Sequence, residues 1–157
     1  MTPAINLLRK AGIAHRVLSY PHEPGTASYG LEAADKLGLD ATTVFKTLLA
    51  ASETNELLLA IVPMAGQLDL KALALAAGCK KCEMADKDAA QRATGYLVGG
   101  ISPLAQKKRL RSFIDSSAQA LPAIHVSAGR RGLEVSLAGS DLAGLINASW
   151  APIGKPA

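Results

Sequence analysis

Lys46 sits inside an apolar run, Val44-Phe45-Lys46-Thr47-Leu48-Leu49-Ala50, that has the composition of a strand. An ammonium flanked by Val, Phe and Leu must either reach water along its own methylene stem or meet an anionic partner. A second segment, Gly95-Tyr96-Leu97-Val98-Gly99-Gly100-Ile101-Ser102-Pro103-Leu104, is uncharged and rich in glycine. Its glycine pair lets backbone N–H groups approach a ligand closely. A cation and a row of amides are the parts needed to hold an anion or to polarise a carbonyl. Tyr20, Ser102 and Ser127 complete the set of candidate polar groups. Each has a plainer role too: Tyr20 as the end of a strand, Lys46 as a solvated strand residue, the glycines as a turn, Ser127 as the cap of a turn at Gly129. Their shared apolar context argues for one pocket.

The chain lacks a nucleophile elbow, a P-loop and a zinc-hydrolase motif. Its histidines, His15, His22 and His125, have no triad or paired-ligand spacing. Hydrolysis here would rest on positioning and electrostatics rather than on an activated protein nucleophile. Cys79 and Cys82 form a Cys-Lys-Lys-Cys segment, but zinc would need two further ligands. A thioredoxin-like site would open a helix, whereas Cys79 follows Gly78, which reads as a helix stop. The pair is therefore expected to be two small residues of a short strand, with no metal and no cofactor.

The elements that must position these groups follow from the pattern. Thr2 caps a helix with Pro3 at its first position and Gly12 as its stop, turning Ile5, Leu8 and Ala11 inward. A strand spans 17–20, and Pro21-His22-Glu23-Pro24-Gly25 reads as a loop. Ser28 caps a helix that ends near Gly38, with Leu31, Ala34 and Leu37 inward. Thr43 to Ala51 and Glu56 to Val62 form a hairpin around Ser52-Glu53-Thr54-Asn55. Asp69 caps a helix that stops at Gly78, with Leu70, Leu73, Ala74 and Ala77 inward, and Asp86 begins one that stops at Gly95. Strands are expected at 111–114, 124–126 and 133–137, and a last helix from Ser140-Asp141. Tight loops between strands argue for a mixed or antiparallel sheet with helices around it, an α+β fold. No linker or repeat divides residues 1–157, so one domain is expected.

Composition excludes several classes. The chain has 157 residues, 49% hydrophobic and 19% charged, enough for a core and against disorder. Aromatic residues make up 4%, too few for base-stacking platforms. The longest apolar run, Leu57 to Ala65, contains Pro63 and falls far short of the ~20 residues of a membrane helix. With no apolar leader before Arg9 and Lys10, a soluble cytoplasmic protein is expected. The net charge of +4 is compatible with a nucleic-acid partner. Lys107, Lys108, Arg109 and Arg111 follow the glycine segment and Arg130-Arg131 follow Ser127, positions suited to phosphate contact.

Taken together the segments resemble the YbaK family of free-standing aminoacyl-tRNA editing domains, which are similar to the insertion domain of bacterial prolyl-tRNA synthetase. The carriers are Met1-Thr2-Pro3-Ala4, Val44 to Leu49, Pro63-Met64-Ala65-Gly66-Gln67-Leu68-Asp69-Leu70-Lys71, Glu83-Met84-Ala85-Asp86, and Thr94 to Leu104 continuing through Gln106-Lys107-Lys108-Arg109-Leu110. The resemblance implies a mixed α/β fold with a barrel-like sheet and a trans-editing hydrolase for Cys-tRNA(Pro). Prolyl-tRNA synthetase mischarges cysteine because an apolar pocket separates near-isosteres by only ~1–3 kcal/mol. It implies Lys46 as the catalytic residue and Tyr20, Thr47, Gly99, Gly100, Ile101 and Ser127 as substrate-binding residues. Glu134 stands where relatives carry aspartate. Attack by the substrate's own thiol, or by water, would explain the missing protein nucleophile. Lys107, Lys108, Arg109, Arg130 and Arg131 would then contact tRNA phosphates, and prolyl-tRNA synthetase would be a transient partner. A deacylase for another amino acid such as alanine, or a non-catalytic tRNA- or synthetase-binding module, are the competing classes. The cysteine pair is outside the family pattern.

Overall fold

The protein is described by a computed structural model covering residues 1–21 and 29–157. Apart from Pro21, the loop expected at 21–25 and the Ser28 cap lie outside the described residues.

Helix α1, Pro3–Ala11, starts where Thr2 Oγ1 accepts the N–H of Ile5 at 3.3 Å and ends at Gly12 in the left-handed region. Ala4, Ile5 and Leu8 are buried, but Ala11 is exposed, because the Gly12 turn folds Ile13 back against the core beyond it. The Thr2 hydroxyl also donates to the carbonyl of Ala128, which fastens α1 to a distant strand. That strand, β7 (Ile124–Arg130), forms a three-stranded antiparallel sheet with β8 (Leu133–Leu137) and β1 (Arg16–Ser19).

Helix α2, Tyr29–Leu37, ends at Gly38 and buries Glu32, Ala33 and Ala34. Leu31, expected inward, is 49% exposed. The stripe is rotated because Glu32 turns inward to Arg131, 3.9 Å away.

The hairpin is present as β2 (Phe45–Ser52) and β3 (Leu57–Pro63). With β5 (Cys82–Met84), β6 (Arg111–Asp115) and β9 (Ser149–Ala151) it builds a five-stranded sheet in the order β5-β2-β3-β6-β9. The β2, β3 and β5 pairings are antiparallel, while β6 runs parallel to β3 and to β9. Strands β4 (Gly66–Leu68) and β10 (Gly154–Pro156) pair with each other. These short strands, and β9, escape sequence reading because three residues cannot display alternation. A barrel-like sheet, which the family resemblance implied, is not formed as a closed barrel among the described residues. One bridge, Val44 to His125, joins the two larger sheets, after which β2 follows β3 and β7 follows β8.

Side-chain alternation along β2 divides the interior in two. Phe45 and Leu49 enter the larger core with α1 and the three-stranded sheet. Ala50 enters a second core with Leu58, Ala60 and Val62 under helix α3, Leu70–Ala77, and Leu48 packs against it. Helix α4, Lys87–Thr94, capped by Asp86, and helix α5, Gly139–Ile146, contribute Ala90 and Leu142 to the larger core. Between α4 and β6 runs the irregular glycine segment, which Tyr96 anchors through a 2.7 Å hydrogen bond from its hydroxyl to the carbonyl of Leu104.

Gly100 sets how closely that segment approaches the turn between β7 and β8. A Cβ at this position would stand 2.7 Å from Arg130 Cα and 2.9 Å from Arg131 N, both backbone atoms that cannot step aside. Gly100→Ala is therefore expected to lower stability by about 1–3 kcal/mol in urea unfolding. Gly144→Ala, where a Cβ meets nothing within 4 Å on an exposed face of α5, is expected to stabilise by roughly 0.5–1 kcal/mol. Equal effects of the two substitutions would contradict the backbone contact.

Candidate functional site

One edge of β2 is bound along its length to β3. On the other edge β5 pairs only with Ala50–Ser52, and the N–H of Ala85 adds a bond to the carbonyl of Leu49 at 3.0 Å. Phe45 to Leu48 therefore have no strand neighbour on that side among the described residues. A cleft of about 460 Å³ runs along this open stretch. Its walls come from the end of β1, the start of α4, the glycine segment and the β7–β8 sheet, and its surface is mainly apolar.

Of the residues singled out in the sequence, Tyr20, Lys46, Thr47, Gly99, Ile101, Ser127 and Glu134 line this cleft. They come from five separate stretches of chain, and each is placed by a local cause. Lys46 and Thr47 lie on opposite faces of β2, and both reach the cleft because it wraps around the open edge. Ser127 sits beside an irregularity between Ser127 and Arg130, where its hydroxyl accepts the N–H of Gly129 at 3.2 Å. Tyr20 is held by its backbone N–H on the carbonyl of Gly132, 3.0 Å away.

The others lie elsewhere. Gly100 is buried against the β7–β8 turn, and its N–H is spent on the carbonyl of Leu97 at 2.9 Å. Val98 N–H is likewise taken by Gln91 Oε1, also at 2.9 Å. Within Gly99 to Ile101, the amides with no internal acceptor among the described residues are those of Gly99 and Ile101. Ser102 is fully buried and its hydroxyl accepts the N–H of Leu104, a turn role. Lys107, Lys108, Arg109 and Arg130 are exposed outside the cleft. The first two also close the end of α4, with their N–H groups on Thr94 and Ala93 carbonyls. Arg131 instead turns into the cleft wall toward Glu32.

Met64, Met84, Lys87 and Val98 also line the cleft and were not singled out as site residues. Nothing in their own neighbourhoods marks them as site residues. Lys87 begins an amphipathic helix, and only the packing of that helix beside β2 brings it there.

Among the described residues Lys46 meets no carboxylate. Its ammonium donates to the carbonyl of Gly66 at 2.9 Å, a neutral dipole, and burial holds its pKa below the ordinary lysine value. Its positive charge is thus oriented but not neutralised by that contact. Glu134 is 7% exposed, and burial pushes its carboxyl up to about 8, so at pH 7 the protonated form dominates. The Tyr20 hydroxyl is also raised, first by burial and then by Glu134. Thr47 Oγ1 is buried and has no hydrogen-bond partner among the described residues. Neither His15 nor His125 lines the cleft, and no cluster of three or more metal-ligating side chains occurs among the described residues. The arrangement places a cation, the Gly99 and Ile101 backbone, the residues Tyr20, Thr47 and Ser127 and a protonated carboxyl around an apolar cavity. These can bind and polarise a small ester while leaving its attack to a nucleophile from outside the protein.

Comparison with known proteins agrees with this chemistry. The aminoacyl-tRNA editing domain matches residues 23–145. A protein of Enterococcus faecalis (strain ATCC 700802 / V583), named "Putative Cys-tRNA(Pro)/Cys-tRNA(Cys) deacylase EbsC", is 38% identical over 120 residues, covering 76% of this chain and 73% of that one. Among solved structures, the hypothetical protein APE2540 superposes with a TM-score of 0.87 at 20% identity, over 98% of this chain and 100% of that one. A structure described as "a putative trans-editing enzyme for prolyl tRNA synthetase" superposes with a TM-score of 0.83 at 21% identity, over 99% and 98%. At these identities the solved structures speak for the fold alone. The family match spans most of the chain, and with the curated relative it establishes that this protein belongs to the aminoacyl-tRNA editing domain family.

Proposed function

We propose that residues 1–157 act as one editing domain that deacylates mischarged Cys-tRNA(Pro), with prolyl-tRNA synthetase as a transient partner. The observation that carries this reading is the cleft itself. Lys46, Gly99 and Ile101 line one cavity, and among the described residues no histidine lines it. The name of the curated relative supports the substrate.

In this reading the terminal ribose and the aminoacyl ester enter along the open edge of β2. Lys46 holds the ribose or its phosphate as a cation. The Gly99 and Ile101 amides receive the carbonyl oxygen as negative charge develops. The substrate's thiol sulfur attacks its own carbonyl carbon, the ester C–O bond breaks, and the ribose oxygen leaves with a proton. The products are a cyclic thioester and free tRNA. Water takes the thiol's place when the amino acid lacks one. Glu134, neutral in the protein alone, becomes a carboxylate when a cation enters, and the α-ammonium group of an aminoacyl ester is such a cation. The exposed Lys107, Lys108, Arg109 and Arg130 hold phosphates outside the cleft. Deacylation of Cys-tRNA(Pro), Ala-tRNA(Pro) and Cys-tRNA(Cys) by the purified protein tests the reading, and tRNA binding without hydrolysis of any of them would replace it with a binding module.

Lys46→Ala is expected to reduce kcat/KM for Cys-tRNA(Pro) by roughly 100-fold or more, the scale of removing one electrostatic interaction with the transition state. Its unfolding midpoint should stay close to that of the parent, because the lysine adds little to either core. Lys46→Arg should also be slow, since a planar guanidinium does not replace a compact ammonium in a confined site. Near-parental activity of well-folded Lys46→Ala would remove the lysine from the mechanism.

Glu134 links the cleft to pH. The folded protein keeps a proton that the unfolded chain releases near pH 4.5, so stability falls as pH rises from there through about 8. The size of this loss is on the order of a few kcal/mol. Glu134→Gln is expected to flatten that decline when urea unfolding is measured across the same window. Parallel curves for the two proteins would show that the carboxyl is not raised.

Neutralising Lys107 and Lys108 to Gln should weaken binding of cognate and non-cognate tRNA alike. The slope of log K against log salt should become shallower by about 0.7–0.9 for each phosphate no longer neutralised. Discrimination between Cys-tRNA(Pro) and Cys-tRNA(Cys) should then require the synthetase. Strong discrimination by the isolated protein would show that this chain reads tRNA identity itself.

A further inference from the structure

The Cys-Lys-Lys-Cys segment lies outside the cleft, and the editing reaction makes no use of it. Cys79 follows the turn at Gly78 that ends α3, and its own N–H donates to the carbonyl of Ala74 at 2.9 Å, so the helix end fixes its place. Cys82 opens β5 opposite Ser52 of β2. Between them, the amides of Lys80 and Lys81 both point at Glu53 Oε1, at 3.1 and 3.4 Å. That shared acceptor curls the segment and brings both cysteines into the core under α3.

The two thiols differ in a useful way. Cys79 is partly accessible, whereas Cys82 is buried. Burial pushes the Cys82 thiol up, and the nearby Cys79 sulfur adds to the effect. On its other side Cys79 meets Arg111. Arg111 Nη1 donates to the carbonyl of Ala77 at 3.0 Å, and Cys79 Sγ lies 4.0 Å from the same oxygen. The guanidinium is locked there by Glu56, with Nε on Oε2 at 2.8 Å and Nη2 on Oε1 at 3.0 Å. A partly accessible cysteine with a buried second cysteine three residues on has the order of a peroxide-facing thiol and its resolving thiol. The strand that Cys82 opens ends at Met84, which lines the cleft together with the following Ala85.

We propose that Cys79 and Cys82 are a redox-responsive pair, closing to a disulfide under hydrogen peroxide and reopening with a dithiol, and that closure acts on the cleft through β5. The Cys79 thiolate attacks one peroxide oxygen. An S–O bond forms, the O–O bond breaks, and the departing hydroxide takes a proton to become water. The Cys82 sulfur then attacks the Cys79 sulfur, the S–O bond breaks, and a second water leaves. Two thiols and one peroxide give one disulfide and two waters, the thiols being oxidised and the peroxide reduced. A dithiol reductant reverses the process by thiol–disulfide exchange.

The test exposes the full chain to hydrogen peroxide, alkylates the remaining thiols and maps the peptides by mass spectrometry. The expected product has lost the mass of two hydrogens and carries a Cys79–Cys82 cross-link. Deacylation of Cys-tRNA(Pro) should fall several-fold and return with dithiothreitol. That recovery separates the effect from sulfoxide at Met64 or Met84, which dithiothreitol does not reduce. Cys82→Ser should deacylate normally before oxidation, form no intramolecular cross-link and carry Cys79 on to the sulfinic acid. Both thiols remaining open to alkylation after peroxide, or sulfinic acid at Cys79 of the parent protein beside a free Cys82, would overturn the pair. A cross-link with unchanged deacylation would overturn its action on the cleft. The link to activity rests on the deacylase reading. A reduced protein with no deacylase activity would tell against that reading and leave the disulfide map standing.

Discussion

Strand β2 is hydrogen-bonded to β3 from Phe45 to Ala51, yet β5 covers only its last residues on the other side. An edge left open in this way exposes unpaired main-chain groups and usually has to be covered or protected. Here the cover is incomplete. The glycine segment, the start of α4 and the β7–β8 sheet draw around the edge without pairing to it, and the space left over is the cleft. The rest of the site depends on this shortfall. If β5 continued in its register, residues 85–89 would pair along β2 as far as Phe45 and close the edge that Lys46 and Thr47 line.

The chemistry of the cleft follows from its apolar lining. Burial acts on Lys46, Glu134 and Tyr20 in the direction that removes charge, lowering the first and raising the other two. The ammonium of Lys46 keeps an oriented dipole, the Gly66 carbonyl, but gains no carboxylate from that contact. A charge held this way is costly without a ligand and interacts strongly with an anionic or polarised one. The Thr47 hydroxyl, buried with no partner among the described residues, carries a desolvation penalty that a hydrogen-bonding group brought to it would relieve. The substrate of an editing domain is a small ester on a large polyanion, and the proposed function divides its recognition between the cleft and the exposed basic residues.

Two of the basic residues show how neighbours in sequence part in space. Arg130 and Arg131 are neighbours in sequence and look alike as phosphate ligands. The β7–β8 turn sends the first outward and the second into the cleft wall, where buried Glu32 faces it. Glu32 in turn rotates α2 so that Leu31 faces solvent, against the apolar stripe expected for that helix. Two local patterns thus differ from the fold at one place, where a buried carboxylate and a guanidinium face each other across 3.9 Å.

Much was legible from the chain alone where the cause is local. Thr2, Asp69 and Asp86 as caps, Gly12, Gly78 and Gly95 as stops, and the β2–β3 hairpin all appear where the sequence places them, since each depends on neighbours a few residues away. Lys46 among Val, Phe and Leu, and the uncharged glycine segment, were marked as unusual for the same reason: their cost is visible in their own surroundings. The meeting of these groups was decided by tertiary structure. The parallel pairing of β6 with β3, the three-residue strands, the open edge of β2 and the arrival of Lys87, Met84 and Arg131 in the cleft all rest on contacts between segments far apart in sequence. Gly100 shows the division most clearly. The sequence shows a glycine that permits close approach, but the backbone it approaches, that of Arg130 and Arg131, is brought there only by the fold.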